Sequence, residues 1–254
     1  MQSFGPLFLA DGSILYAFEQ SSLAGRVILF CLFFASVFSW SVMVTKMRMI
    51  RHAKRQSALF LEVFRHHRQP LHCYETGLTF RGSPLWSVYR AGCRDFTFHL
   101  LGSQEVDETF RARVESAPKI SPAQMRVVNT SMERAVGETA LRLEGQMIVL
   151  ATAVSGAPFI GLLGTVWGVM ETFGGVAAAG SANLAAMAPG VSAALVTTVM
   201  ALLVAIPAMF GYNYLVTTIR SMVIQMDNFA SELSSSFEHQ YVDHGASSRT
   251  SSLT

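Results

Sequence analysis

This sequence is short of charge. Only 14% of its 254 residues are Asp, Glu, Lys or Arg, while 51% are hydrophobic, too few charges to coat a soluble protein of this length. Three stretches, residues 27–44, 147–170 and 187–210, contain no charged residue at all. Each is long enough to cross a hydrocarbon core of about 30 Å as a helix, which needs ~20 residues at about 1.5 Å each. Three buried core helices of a soluble domain are the alternative, but the second and third stretches are too long and too free of charge to favour it.

Basic residues are missing from residues 1–25 and from 172–186, whereas sixteen of the nineteen Lys and Arg lie between Lys46 and Arg142. The positive-inside rule therefore puts the N-terminus outside and the basic middle in the cytoplasm. Three spans return the C-terminus to the cytoplasm, with Arg220 and Arg249. No basic cluster precedes the first stretch, where Asp11 and Glu19 stand instead, and no small-residue cleavage site follows it. It is read as a retained helix rather than a signal peptide.

Cysteine is also scarce. Cys31 falls in the first span, and Cys73 and Cys93 in the reducing compartment, so no disulfide is expected. No phosphate-binding glycine loop, G-x-S-x-G or H-E-x-x-H motif occurs. His66, His67, His72 and Cys73 are the one cluster of metal-ligating residue types, and no second group completes a zinc pattern. The expectation is no catalytic residues, no metal and no cofactor. The net charge of +2 gives no reason to expect nucleic acid.

The pattern predicts an all-α membrane protein: three transmembrane helices with long cytoplasmic helical extensions. Its segments are an external stretch 1–25, a first span 26–45, a cytoplasmic helical domain 46–145, a second span 146–172, a short external loop 173–186, a third span 187–212, a cytoplasmic extension 213–243 and a disordered tail 244–254.

The first span continues through Lys46, Arg48, Arg51, Lys54 and Arg55 as a helix to about His67, its cations anchored at the lipid surface. Ser83-Pro84 starts a helix that ends near Gly102, and Ser103 caps another that stops before Pro118. Ser121-Pro122-Ala123-Gln124 forms a capping box. The stripe Met125, Val128, Met132, Ala135, Leu143 and Met147 carries that helix unbroken into the second span. Beyond the third span, Leu215, Ile219, Met222, Met226, Phe229, Leu233 and Phe237 repeat at helical spacing and predict a packed extension.

The chemistry of interest lies inside the membrane. Pro158, Gly161, Thr165, Gly168 and Thr172 give the second span one small, faintly polar face, and Gly190, Ala194, Thr198, Ala201, Ala205 and Ala208 give the third a similar one. Such faces admit two readings. They let helices pack closely, each threonine hydroxyl bonded to a carbonyl one turn back. They can also line a narrow pore in which Thr165 and Thr198 solvate an ion or a carboxylate. A hydroxyl does not titrate near neutral pH, and the three charge-free stretches hold no Asp, Glu, Lys, Arg or His. Glu171 comes nearest, as an interfacial carboxylate or a pore-mouth charge. A proton crossing here needs a carrier from another chain.

The run Ala157-Pro158-Phe159-Ile160-Gly161-Leu162-Leu163-Gly164-Thr165-Val166-Trp167-Gly168-Val169-Met170 resembles the signature of the TolQ/ExbB proton-channel family, to which the stator subunit MotA is more distantly related. Ala188-Pro189-Gly190-Val191, Ala194-Leu195, Thr198, Ala205-Ile206-Pro207-Ala208 and Tyr212-Asn213 resemble its third helix. The resemblance is dense from about residue 130 to 235. It implies a multi-pass subunit of the bacterial inner membrane, its N-terminus and 173–186 loop periplasmic and its C-terminus cytoplasmic. It further implies a homopentamer around the membrane helices of a TolR- or ExbD-like dimer. Each partner helix brings an aspartate, and proton flow energises the outer membrane through a TolA- or TonB-like protein. Thr165 and Thr198 fall on the family's two pore threonines, with Gly161, Gly168, Ala194 and Ala201 on the same faces. Close members carry a glutamate five residues before the third-helix threonine. That position is Ala193 here, which puts a route through the glutamate in doubt. A sodium- or proton-driven stator of the MotA type and a non-conducting scaffold are the alternatives.

Overall fold

The computed structural model describes residues 23–67, 69–180 and 184–242. The expected external segment 1–25 lies outside them apart from its last residues, and the expected tail lies wholly outside. Among the described residues the chain is all-α, with one isolated parallel bridge between Ile120 and Val242. Seven helices follow in order: α1 Leu23–His66, α2 His72–Glu75, α3 Pro84–Leu101, α4 Phe110–Ser116, α5 Pro122–Glu144, α6 Met147–Ala179 and α7 Leu184–Tyr241. Among these, α1, α6 and α7 are long and apolar enough to cross a membrane. The chain divides into two compact units, one drawn from Met1–Thr45 with Gln146–Tyr214, the other from Lys46–Gly145 with Leu215–Thr254.

The apolar unit is built inside out relative to a soluble domain. Its small core joins Leu32 of α1 to Ala157 of α6 and Ala201, Val204 and Ala205 of α7, flanked by Ile28, Ile160 and Met200. Phe33, Phe34, Phe38, Phe159, Leu162, Leu163, Leu203 and Phe210 point outward. In lipid there is no gain from hiding large apolar groups, so close backbone approach selects small residues for the interior. Pro158 lies inside α6, and Pro189 and Pro207 inside α7, as membrane helices tolerate where soluble ones do not.

The boundaries of the connection between the second and third spans differ from expectation. Helix α6 continues past Thr172 to Ala179, and α7 starts at Leu184, so most of 173–186 is helical. Val176, Ala177, Ala178 and Ala179 are adequate helix formers that outweigh Gly174 and Gly175. The helix stops at Gly180, whose φ of 67° suits the left-handed C-terminal cap that glycine adopts without strain.

The second unit has an aromatic core. Phe60 of α1 is fully buried among Phe64, Phe80, Trp86, Tyr89 and Phe229, with ring centroids 5.3–5.8 Å away. Phe96 of α3 stacks on Phe237 of α7 at 4.1 Å. The Tyr89 hydroxyl donates to the Pro70 carbonyl at 2.8 Å and accepts from the Tyr74 amide at 3.0 Å, which ties the α1–α2 turn to α3. All seven residues of the expected α7 stripe, from Leu215 to Phe237, are buried. Ser83 caps α3 by accepting from the Trp86 amide at 3.1 Å. The Ser121–Gln124 capping box of α5 is formed in both directions.

Three expectations are corrected in this unit. Ser103 does not cap a helix, since α4 begins only after Thr109. The Asp107 carboxylate instead organises that turn, accepting from the Thr109 amide and hydroxyl at 3.1 and 2.9 Å and from Arg113 at 3.0 Å. Thr109 first and Arg113 after it hold this carboxyl below its ordinary range. Ser103 accepts from Arg113 at 3.1 Å.

The helix through 122–147 is not continuous. Helix α5 stops at Glu144, Gly145 turns extended, and Gln146 sits at φ 67° before α6 starts. Leu143 and Met147 are both buried and four residues apart, a helical spacing in the sequence that conceals the break.

Lys46, expected to anchor at the lipid surface with its neighbours, is only 4% exposed. Its ammonium donates to the carbonyls of Leu143 at 3.1 Å and Arg142 at 3.5 Å, capping the end of α5. A cation there meets the negative end of the helix dipole, although desolvation lowers its affinity for the proton. Arg48, Arg51, Lys54 and Arg55 are exposed.

Candidate pore site on the second and third apolar helices

The seam between α6 and α7 is built from residues too small to hold the helices apart. A Cβ placed on Gly161 would collide with Ala201 and come within 3.1 Å of the Thr198 Cα. One on Gly164 would lie 2.6 Å from the Thr197 hydroxyl, and one on Gly168 would lie 2.7 Å from the Ala194 Cβ. Toward the α6–α7 connection Gly190 packs against Thr172 in the same way. Glycine is required at these positions because backbone and side chain occupy the space a Cβ needs.

Close approach lets hydroxyls of one helix reach carbonyls of the other. The Thr165 and Thr198 hydroxyls are hydrogen-bonded to each other. Thr165 also lies 3.2 Å from the Gly161 and Ala194 carbonyl oxygens, and Thr198 lies 3.1 Å from Gly161 O. Thr197, 1% exposed, reaches Ala194 O at 2.7 Å and Gly161 O at 3.2 Å. Three hydroxyl protons thus share two carbonyls and one hydroxyl pair. Each hydroxyl has a single proton and can turn, so Thr165 and Thr198 have more acceptors within reach than protons to give. They can redirect a donor toward an incoming anion at small cost, because both carbonyls also lie within helices that supply their own amide donors.

The expected site residues fall into two groups. Thr165, Thr198 and Gly168 are half-buried and keep some open surface. Gly161, Ala193, Ala194 and Ala201 are buried, with Gly161, Ala194 and Ala201 filling the seam itself. Glu171 is exposed and accepts from the Trp167 indole at 2.9 Å. It lies two turns inside α6 rather than at its end. Thr197 was missed by the sequence reading, although its spacing from Ala194 and Ala201 put it within reach. Away from the seam, the His67 and His72 rings stack at 3.8 Å and 15°, with His67 Nδ1 held to the Val63 carbonyl at 3.0 Å. Parallel rings do not converge on a metal. Among the described residues no group of three metal-ligating side chains is assembled.

Comparison with known proteins agrees with this architecture. The chain is 31% identical over 222 residues to the Tol-Pal system protein TolQ of Pseudomonas aeruginosa, covering 84% of this chain and 87% of the relative. It is 28% identical over 231 residues to the TolQ of Haemophilus influenzae, covering 91% and 96%. Over a shorter stretch of 106 residues it is 40% identical to the biopolymer transport protein ExbB of Xanthomonas campestris, covering 42% of each chain. The family model of the MotA/TolQ/ExbB proton channels matches residues 102–228, half of the chain and the whole of the α6–α7 seam. The chain therefore belongs to the MotA/TolQ/ExbB proton channel family.

Proposed function

We propose that this chain is the pore-forming stator subunit of a proton-motive-force-driven motor in the bacterial inner membrane. Five copies surround the membrane helices of a TolR- or ExbD-like dimer, and a TolA- or TonB-like protein carries the work to the outer membrane. The chain lies with its N-terminus in the periplasm and its C-terminus in the cytoplasm. It performs no covalent chemistry, consistent with a family of channel subunits rather than enzymes.

The observation that carries this reading is the Thr165–Thr198 hydroxyl pair on a seam with no titratable carboxylate. The partner's aspartate cycles between protonated and charged states, and the two hydroxyls turn from Gly161 O and Ala194 O to donate to it when it is charged. An ion at the bilayer centre costs at least about 2.5 kcal/mol. Two hydrogen bonds to a charged group, at ~1.5 kcal/mol or more each, offset that cost. Ala193 offers nothing that titrates, so the proton is held on the partner alone.

The test is reconstitution in proteoliposomes with and without the single-span partner, with mass measurement of the complex and a proton-flux assay. Flux that requires the partner and its membrane aspartate is expected. A complex that forms but conducts nothing would make this chain a scaffold, and flux that follows sodium rather than pH would make it a sodium stator.

A further inference from the structure

Helix α5 has a groove on each flank, and the two carry opposite charge. On one side, against α7, a groove of about 340 Å³ is lined by Glu133, Asp227 and Glu238, with Asn129 and serines between them and no cation. On the other, against α3, a groove of about 430 Å³ is lined by Arg90, Arg94 and Arg142, with Glu138 its one carboxylate. Both lie within the second compact unit.

These charges are largely unspent within the chain. Glu133, Asp227, Arg90 and Arg142 make no ion pair among the described residues. Arg94 meets Asp95 at 3.3 Å with its side chain still 57% exposed, and Glu238 accepts from Ser234 at 3.4 Å. A third observation points to what the acidic groove is missing. The Oδ1 of Asn129 is buried and has no hydrogen-bond partner, which is costly unless a donor arrives. A guanidinium, with five N–H donors in a fixed fork, satisfies an amide oxygen and a carboxylate together.

We propose that the two grooves are the two halves of one contact between copies of this chain, the basic flank of α5 in one copy seated on the acidic flank in the next. The α5 residues of the two grooves are about a third of a turn apart around the helix axis. A two-fold contact would set acid on acid or base on base, whereas a head-to-tail contact pairs opposite charges at every step. Head-to-tail contacts give a ring where the rotation between copies closes and an open filament where it does not. The charge pattern thus argues against a two-fold contact through these flanks and sets which flank of each copy faces the next. The inference rests on the reading that copies assemble around a partner, and adds which surfaces meet.

Two cysteines placed across the contact test it, Ser87→Cys in the basic groove and Ser235→Cys beside the acidic one, in a Cys31→Ser background. Cys73 and Cys93 are buried. The full-length protein is treated in native membranes with a short bismaleimide. The double variant should give a ladder beyond dimer, and each single variant none. Adding Arg90→Glu and Arg142→Glu should cut the ladder about tenfold, since like charges would then face each other across the contact. Adding Glu133→Arg and Asp227→Arg as well should restore it, which shows that the reversed chain still folds.

An oligomer by native mass with no ladder overturns this contact and leaves the assembly standing. Dimers from a single-cysteine variant overturn it in favour of a two-fold contact. A ladder indifferent to charge reversal overturns the pairing, and a monomer throughout overturns both readings.

Discussion

The Thr198 hydroxyl lies 3.1 Å from the carbonyl oxygen of Gly161, on the facing helix of the seam, and within hydrogen-bonding reach of the Thr165 hydroxyl at the same point. That link exists because Gly161 has no side chain. Packing and chemistry at the seam are therefore separable by mutation.

Thr165→Val and Thr198→Val keep the shape and remove the hydroxyl. Each should abolish energised function, read as partner-dependent proton flux, while the complex still assembles. Thr197→Val should behave differently, because its hydroxyl is buried and bonded to Ala194 O. It should lower stability by about 1 kcal/mol, measured by unfolding in detergent, and retain flux in proportion to folded protein. Normal flux in both of the first two variants would remove the threonine pair from the mechanism.

Gly161→Val and Gly168→Val should be destabilising by about 1–3 kcal/mol, the range for overpacking a tight contact, because the added atoms meet Ala201 and Ala194. Gly174→Ala is the control. A Cβ there meets nothing within 4 Å, so helix propensity alone should stabilise by roughly 0.5–1 kcal/mol. Melting temperatures of the three variants in one detergent decide the matter.

Lys46 and Gln146 act on the same break. Lys46→Met should cost about 1–3 kcal/mol, the range for leaving polar partners unsatisfied at a buried site, whereas Lys54→Ala on an exposed face should change little. Gln146→Gly should stabilise by about 1 kcal/mol by removing the strain of a side chain at positive φ. Gln146→Val should do the reverse. Equal melting temperatures for Gln146→Gly and Gln146→Val would show that the left-handed turn is absent in the membrane.

Cys93 gives the second unit a defined response to alkali. Burial pushes its thiol well above the ordinary range, and Cys73 and Tyr89 are raised by the same desolvation. The folded state therefore keeps protons that the unfolded chain releases from about pH 8.5 for a thiol. Stability from the neutral thiol is fully present below that pH and is lost as pH rises above it. Cys93→Ala should flatten the decline in melting temperature between about pH 8.5 and 10.5. A decline of unchanged slope would assign it to other groups.

Much of the α6–α7 seam was legible because its signals are local. Gly161, Thr165 and Gly168, and Ala194, Thr198 and Ala201, share faces at helical spacing, and that periodicity needs no partner to be read. Thr197 was not singled out, because whether a residue at the edge of a small face is buried depends on how far the facing helix leans over it. The break at Gly145 and Gln146 was hidden for a similar reason. Leu143 and Met147 keep a four-residue spacing whether or not the helix between them is continuous. Ser103 failed as a cap because Asp107 offered the turn a stronger acceptor.

The sequence by itself determined the three apolar spans, the faces of α6 and α7 that can approach, and the absence of a titrating residue between them. These follow from hydropathy, spacing and residue size along a single segment. Only the tertiary structure decided that Lys46 caps a helix through a carbonyl 97 residues later, that Thr165 and Thr198 meet at the Gly161 carbonyl, and that opposite charges line the two flanks of α5. Each depends on the distance between segments far apart in the chain, and periodicity within one segment carries no such distance.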